Sequence, residues 1–221
     1  LDYITNLVSR WPFGGNGNDS VGSNNLTAQG SPGYTSGVYG QAASLNGSSQ
    51  YFTSASAVNL SGDFTITGWI YLTALNARQA IIANRSGGGV ANTCAITIES
   101  SNSLSLWYNA GSGDANITGA TVLTTGVWYH FIVTRTGTSV TLYINGVQDA
   151  TGTVSGSLGN LSSYVGALTL PQNYFSGYID QLQYFSAGIS ASVARQIFSD
   201  CHSGQLAICT YTGSGFTAGY V

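Results

Sequence analysis

TGVWYHFIVTRTGTSVTLYINGV, residues 125–147, is the stretch of this 221-residue chain that decides the fold. Side chains alternate in character through residues 127–135 and again through residues 139–145, and a period of two is typical of half-buried strands. Gly137-Thr138 separates the two runs, and Asn145-Gly146 ends the second one. The Asn-Gly pair favours a type I′ hairpin, because both central positions of that turn need a positive φ. The stretch therefore predicts antiparallel strands joined by tight turns.

The same alternation extends outward from this stretch. Residues 62–72, GDFTITGWIYL, repeat the period of two, and short Gly/Asn turns punctuate the rest of the chain. Only Ser190–Ser199 has helical spacing, with Ser190 as its expected cap. The sequence thus predicts an all-β, antiparallel two-sheet jelly-roll sandwich with one short helix on the C-terminal side. Residues 1–200 are expected to form the domain, and 201–221 a strand-like extension.

Low charge is the most unusual compositional feature, since only 6% of residues are charged and lysine is absent. Phosphate binding needs clustered cations, so a nucleic-acid partner is not expected. No apolar run is long enough to span a bilayer. Low charge, a close cysteine pair and many Asn-x-Ser/Thr sequons favour an extracellular protein, secreted or surface-attached. Asn18, Asn25 and Asn46 are the favoured glycosylation sites, because they lie in loops rich in Gly, Asn and Ser.

Several segments together resemble the laminin-G-like, or concanavalin A-like, jelly-roll family, which includes pentraxin-like modules. The resemblance covers most of the chain and rests on LVSRWPFGG (7–15), GQAASLNG (40–47), GDFTITGWIYL (62–72), residues 125–147 and FSGYIDQLQYFSAGISASVARQIF (175–198). It implies the same jelly-roll fold. It also implies a calcium site built from Asp19 and Asp180, with loop carbonyls supplying further oxygens. The alternative is that Asp180 caps a turn and Asp19 is solvated.

Catalysis is not expected, although the resembled family includes glucanases. Glycoside hydrolysis normally needs two carboxylates that flank the scissile bond, and glucanases of this fold carry theirs as glutamates on one strand. Glu99 is the only glutamate in this chain. The two histidines, His130 and His202, belong to no recognisable catalytic motif. We therefore predict no catalytic residue.

The three cysteines predict one structural link at most. Cys201 and Cys209 have a spacing that a short disulfide loop satisfies, and two free thiols are the alternative. Cys94 falls within a strand and is expected to be a buried free thiol.

Two function hypotheses follow from the sequence. The first is a binding or adhesion module for glycans or extracellular proteins, with Trp107, Tyr108 and Tyr174 as candidate aromatic ligand contacts. The second is a structural protomer of a fibre, coat or surface array, which would self-assemble through polar and aromatic contacts and through residues 201–221. Trp69 and Trp128 are expected in the core rather than in a binding site.

Overall fold

The computed structural model describes residues 5–85, 88–159, 162–169 and 171–202. Within these residues the chain forms fifteen strands and one helix. In chain order they are β1 (Leu7–Trp11), β2 (Leu26–Gln29), β3 (Gly33–Ser36), β4 (Gln41–Asn46), β5 (Tyr51–Ala57), β6 (Phe64–Leu72), β7 (Gln79–Ala83), β8 (Thr93–Ile98), β9 (Leu104–Asn109), β10 (Ala115–Thr118), β11 (Trp128–Thr136), β12 (Ser139–Ile144), β13 (Val147–Thr153), β14 (Ser162–Val165), β15 (Ser176–Phe185) and α1 (Ala191–His202).

The strands form two antiparallel sheets, which confirms the predicted jelly-roll sandwich. The first sheet has the order β13-β12-β11-β6-β15-β4-β3, and β1 also pairs with β15. The second sheet has the order β10-β9-β8-β7-β14-β5-β2. Central neighbours such as β6, β11 and β15 are far apart in sequence, so the sheet centre depends on long-range pairing.

The space between the sheets is filled by the inward-facing side chains of both. In the first sheet, Ile70, Phe131 and Ile179 are completely buried, and Leu104 and Leu106 of β9 are equally buried on the opposite side. Such burial of large apolar side chains is the main source of stability in a sandwich. Cys94 lies in this core as a free thiol, as predicted, and its burial raises the pKa of the thiol to about 12.

Strand β15 changes partner halfway along its length. Residues 176–179 pair with β4, whereas residues 182–185 pair with β1. The register of β15 against β6 shifts between Asp180 and Gln183, and Gln181 in this bulge has a φ of 48°. The Gln181 amide oxygen accepts hydrogen bonds from Arg10 Nε at 3.1 Å and Nη2 at 2.7 Å. The bulge is thus fixed by a buried contact, and it sets the position of Asp180.

Helix α1 covers part of the outer face of the first sheet. Ser190 caps it as predicted, because its Oγ accepts the N–H of Val193 at 3.3 Å. Ile197 is buried against the sheet, and Phe198 packs on Trp69 with ring centroids 6.0 Å apart. The helix ends at His202, three residues beyond the predicted end. Part of the sheet face is therefore shielded from solvent.

The C-terminal predictions fall mostly outside the described residues. Residues 203–221, which include Cys209, are not described, and neither is the side chain of Cys201. The division of the chain at residue 200, the disulfide and the role of the extension in self-assembly all remain predictions.

The Asn-Gly hairpin has the predicted backbone geometry. Asn145 has a φ of 51° and Gly146 a φ of 74°, as a type I′ turn requires. A Cβ at Gly146 would also lie 3.0 Å from the Cβ of Phe198. Glycine is required here both by the turn and by the approach of α1.

Truncation of Phe131 tests the importance of the central core. Phe131 has no exposed surface, so Phe131→Ala is expected to lower the free energy of unfolding by about 3–5 kcal/mol. Val147→Ala is the control, because Val147 is 68% exposed. Urea denaturation of both variants measures the effect. Equal stability of the two variants would mean that Phe131 is not in the core.

Candidate functional site

Trp107 does not present a ring face to solvent. It lies on β9 at 9% exposure, and the guanidinium carbons of Arg78 and Arg85 lie 4.0 and 3.8 Å from its ring centre. Each arginine is also ion-paired, Arg78 with Glu99 and Arg85 with Asp114, both at 2.8 Å. Stacked guanidinium groups interact favourably with an indole ring. The Trp107 ring, which the sequence suggests as a ligand contact, is therefore largely covered by the guanidinium groups of Arg78 and Arg85.

The side chains of Tyr108 and Trp107 lie on opposite faces of the second sheet. Consecutive side chains point to opposite faces of a sheet, so Tyr108 turns towards the core while Trp107 faces outward. Tyr108 is half-buried against the core, and its hydroxyl lies 3.4 Å from the carbonyl oxygen of Thr153. The structure does not bring these two candidates together on one surface.

Tyr174, the third candidate, belongs to a group of three tyrosines. Its ring centroid lies 6.0 Å from that of Tyr51, which stacks on Tyr164 at 5.6 Å with an angle of 8° between the planes. The next residues along the strands, Phe52 and Val165, are fully buried in the core. Tyr51 and Tyr164 therefore point outward from the second sheet. All three rings are half-buried, and we call this group the tyrosine cluster.

The hydroxyl groups of the tyrosine cluster make no hydrogen bond to the part of the chain that the structure describes. Among the described residues, none of the three accepts or donates a hydrogen bond. Tyr184 shows the contrast, because its hydroxyl donates to the carbonyl of Asn59 at 2.6 Å. The cluster thus combines apolar ring surface with available hydrogen-bonding groups.

A second aromatic group lies on the outer face of the first sheet. Trp128 of β11 and Tyr178 of β15 both stand opposite Tyr71 of β6, so the three residues lie side by side on adjacent strands. Ile70 and Ile179 are buried in the core, which turns Tyr71 and Tyr178 outward. All three rings are half-buried. We call this group the tryptophan row; Trp128, which the sequence predicts in the core, is half-buried at the border of the buried cluster around Trp69.

The rings of the tryptophan row contact one another closely. Tyr71 stacks on Tyr178 at 5.0 Å, and Trp128 lies 5.5 Å from Tyr71 and 6.2 Å from Tyr178. Beyond the row, the hydroxyls of Thr73 and Ser176 are hydrogen-bonded at 2.9 Å. The row therefore has a hydroxyl-bearing border.

A buried row that includes polar side chains lies next to the tryptophan row on the same sheet face. Asp180 and His130 both stand opposite Trp69, and all three are at most 4% exposed. Phe198 of α1 packs on both Trp69 and His130, while the backbone N–H of Tyr39 donates to Asp180 Oδ2 at 3.0 Å. Within the described ranges, Asp180 Oδ1, Trp69 Nε1 and His130 Nδ1 have no hydrogen-bond partner. The helix and the loop around Tyr39 thus enclose a polar layer.

Burial sets the protonation of this layer. Desolvation lowers the pKa of His130 to about 3, so the ring is neutral at physiological pH. Its Nε2 lies 2.9 Å from the hydroxyl of Thr67, which donates to the carbonyl of Phe131, so Nε2 carries the proton. Desolvation also raises the pKa of Asp180 to about 6, and the N–H of Tyr39 partly offsets that effect.

The predicted calcium ligands have separate surroundings. Asp19 accepts backbone N–H groups on both carboxylate oxygens, and these donors lower the pKa of the carboxyl despite its partial burial. The donors are Arg10, Val21 and Gly22 to Oδ1 and Asn24 to Oδ2. Calcium needs six to eight oxygen ligands, whereas Asp19 is surrounded by N–H donors. The described residues contain no group of three or more His, Cys, Asp or Glu side chains that could hold a metal ion, and calcium binding at Asp19 and Asp180 with loop carbonyls stays a prediction.

The three favoured sequons lie at the surface. Asn18, Asn25 and Asn46 are all exposed, as an attached glycan requires. By contrast, Asn84 is only 2% exposed and donates from its side chain to Leu158. Glycosylation at the three exposed sites stays a prediction.

Comparisons with known proteins agree on the fold. A family model described as the concanavalin A-like lectin/glucanases superfamily matches residues 46–193. No curated protein sequence matches the chain significantly. No helix among the described residues is long and apolar enough to cross a membrane.

Solved structures share the architecture at low sequence identity. Domain 4 of an extracellular arabinanase from Geobacillus stearothermophilus, solved with arabinotriose, is 20% identical with a TM-score of 0.70, and the match covers 86% of this chain and 97% of that domain. The binding domain of Paraclostridial Mosquitocidal Protein 1 is 17% identical with a TM-score of 0.71, over 88% of this chain. That of botulinum neurotoxin serotype C1 is 14% identical with a TM-score of 0.67, over 90% of this chain. This chain spans about half of each toxin domain, 52% and 53% respectively.

Sequence reasoning missed Tyr51, Tyr164 and the whole tryptophan row. A partial signal exists in β6, where Trp69 and Tyr71 share the face opposite the apolar one. The alignment of three strands was not visible, because they are joined only by pairing across long stretches of chain.

A calcium titration tests the metal prediction. A ligand that binds the native state raises the melting temperature, and Asp180→Ala should abolish that rise. Differential scanning calorimetry in saturating calcium and in chelator provides the measurement. Identical curves for the unmodified protein in both conditions would rule out the site.

The titration of Asp180 predicts a pH dependence of stability. Because burial raises its pKa from 3.8 to about 6, the folded state holds this proton more tightly than the unfolded state. The resulting stabilisation is complete below 3.8 and is lost as pH rises through about 6. Asp180→Asn should remove this component, so the stability difference between the two proteins changes across that interval. Urea unfolding in chelator measures it, and parallel pH profiles would contradict it.

Proposed function

The chain belongs to the concanavalin A-like lectin/glucanases superfamily, and on that basis we propose that it is a non-catalytic module that binds saccharides. The observation that carries the proposal is the tyrosine cluster, in which Tyr51, Tyr164 and Tyr174 are held together at an exposed sheet face. We further propose that the module acts outside the cell, as the low charge and exposed sequons favour.

The chemistry of the cluster suits a sugar ring. A pyranose or furanose ring has apolar C–H surface and a border of hydroxyl groups. Half-exposed aromatic rings contact the former, and phenolic hydroxyls can donate to or accept from the latter. The three tyrosines offer both kinds of contact, with the ring centroids of Tyr164 and Tyr174 at 5.6 and 6.0 Å from that of Tyr51. A purely apolar ligand would leave the hydroxyls unused.

Ordered packing favours binding at this cluster. The nearly parallel arrangement of Tyr51 and Tyr164 fixes both rings before a ligand arrives. A preformed site loses less side-chain entropy on binding than a mobile one. The arabinotriose complex of the structurally similar arabinanase domain adds support, since that domain has the same fold and is almost fully covered by the match.

The surroundings of Glu99 support a non-catalytic role. Its carboxylate is only 9% exposed, accepts from Arg78 Nε at 2.8 Å and from the Thr97 hydroxyl at 2.6 Å. A general acid or nucleophile needs access to substrate and a second carboxylate at a defined distance. Glu99 is instead committed to the ion pair that supports the Trp107 site.

Saccharide titration of tyrosine variants tests the proposal. Arabinotriose and a panel of neutral and sialylated oligosaccharides are the probes, and isothermal titration calorimetry is the measurement. Tyr51→Ala and Tyr174→Ala are expected to weaken binding at this site by about tenfold or more, equivalent to roughly 1.4 kcal/mol. Tyr34→Ala is a matched control, since Tyr34 is half-buried on β3 of the other sheet.

Two outcomes would count against the proposal. Absence of binding to every probe would remove saccharide recognition. Release of a cleaved product during incubation would contradict the non-catalytic assignment, most directly if Glu99→Gln abolished it.

A further inference from the structure

We infer that the tryptophan row is a second saccharide site, specific for neutral sugars, on the face opposite the tyrosine cluster. Trp128, Tyr71 and Tyr178 form this site on the first sheet, whereas the tyrosine cluster belongs to the second. One domain would then hold two glycan chains at once. The inference goes beyond the proposed function, because it depends on different residues.

Trp128 differs from the other tryptophans of the chain. Trp11 is fully buried, and Trp69 and Trp107 are at most 9% exposed. Trp128 alone is half-buried, at the border of the buried cluster around Trp69, with its ring beside those of Tyr71 and Tyr178. Three adjoining aromatic side chains left at the surface mark a binding area.

Polar groups around the row indicate a hydroxylated ligand. The hydroxyls of Tyr71 and Tyr178 have no hydrogen bond among the described residues, and those of Thr73 and Ser176 border the row. Hydroxyls spaced among aromatic rings match a sugar better than a lipid chain, which offers nothing to hydrogen-bond.

The rings are held in place by one another and by the adjacent buried row. Each ring of the row lies within 6.2 Å of both others, and the next row, Asp180, Trp69 and His130, is packed beneath α1. That neighbouring layer is buried, so it forms a fixed wall beside the rings rather than a part of the ligand surface. Rigid support lowers the entropic cost of binding.

Charge selects the class of sugar. The chain has five arginines and no lysine, and all five arginines lie among the described residues. Four of them donate hydrogen bonds to acceptors within the protein. The contacts are Arg10 to Gln181, Arg78 to Glu99, Arg85 to Asp114, and Arg135 to the carbonyls of Gly137, Val154 and Gly156. Only Arg195 is exposed, and it lies beside the hairpin at Gly146.

A neutral ligand follows from this distribution. Recognition of a sugar carboxylate or sulfate normally relies on a guanidinium or ammonium group that makes charge-assisted hydrogen bonds. The residues of the row and its border are uncharged, and Asp180, two residues along β15 from Tyr178, is fully buried. The row therefore favours neutral saccharides over sialylated ones.

Tryptophan fluorescence reports on this site selectively. Trp128 is the tryptophan that acrylamide can reach, so a neutral trisaccharide in the row should protect the protein from quenching. Arabinotriose, cellotriose and maltotriose are the neutral probes, and lactose is compared with sialyllactose. Trp128→Phe should remove the protection, while Tyr51→Ala should leave it unchanged.

Stoichiometry separates this inference from the proposed function. Calorimetry of the unmodified protein should give two sites, and Trp128→Ala, Tyr178→Ala or Tyr51→Ala should each leave one. Circular dichroism verifies that the variants fold. Tyr178→Phe, which removes only a hydroxyl, replaces an alanine variant that does not fold.

Each remaining result is decisive. One site, lost in Tyr51→Ala and kept in Trp128→Ala, overturns the second site and leaves the proposed function intact. No binding by any probe overturns both. Stronger protection by sialyllactose than by lactose overturns the neutral specificity.

Discussion

The register between β6, β11 and β15 is the constraint on which the rest of the structure depends. Burial of Ile70, Phe131 and Ile179 fixes which face of each strand meets the core. A slip of one residue would move every side chain of a strand to the other face, so the alternative registers are strongly disfavoured. The same register places Tyr71 and its neighbours in a row at the surface. One arrangement thus sets both the burial of the core side chains and the layout of the proposed second binding surface.

Low charge is explained by where the arginines are used. Rather than solvating the surface, four of the five are held inside: Arg10 at the β15 bulge, Arg135 at three carbonyls, and Arg78 and Arg85 in ion pairs. A buried guanidinium must be hydrogen-bonded to avoid a large desolvation cost. Hydroxyl and amide side chains then remain to cover the exterior. Such a surface offers hydrogen bonds without strong electrostatic attraction, which is consistent with recognition of uncharged polyhydroxylated ligands.

Local features of the fold could be predicted from sequence with fair detail. The hairpin at Asn145-Gly146 and the cap at Ser190 depend on neighbouring residues, and both have the expected geometry. Trp107 could not be interpreted in the same way, because the arginines over its ring come from other segments. The sequence predicts Trp128 in the core, because alternation distinguishes the two faces of a strand. Alternation does not show which parts of the outer face become buried.

The central claim is that outward-facing aromatic side chains in fixed register form the saccharide surface. A nuclear magnetic resonance titration with arabinotriose tests it most directly, with the four tryptophan indole N–H signals and the tyrosine rings assigned. The account predicts shifts at the Trp128 indole and at Tyr51, Tyr164 and Tyr174, while the signals of Trp11 and Trp107 stay in place. Shifts centred on Trp107, or no shift at any aromatic side chain, would contradict it.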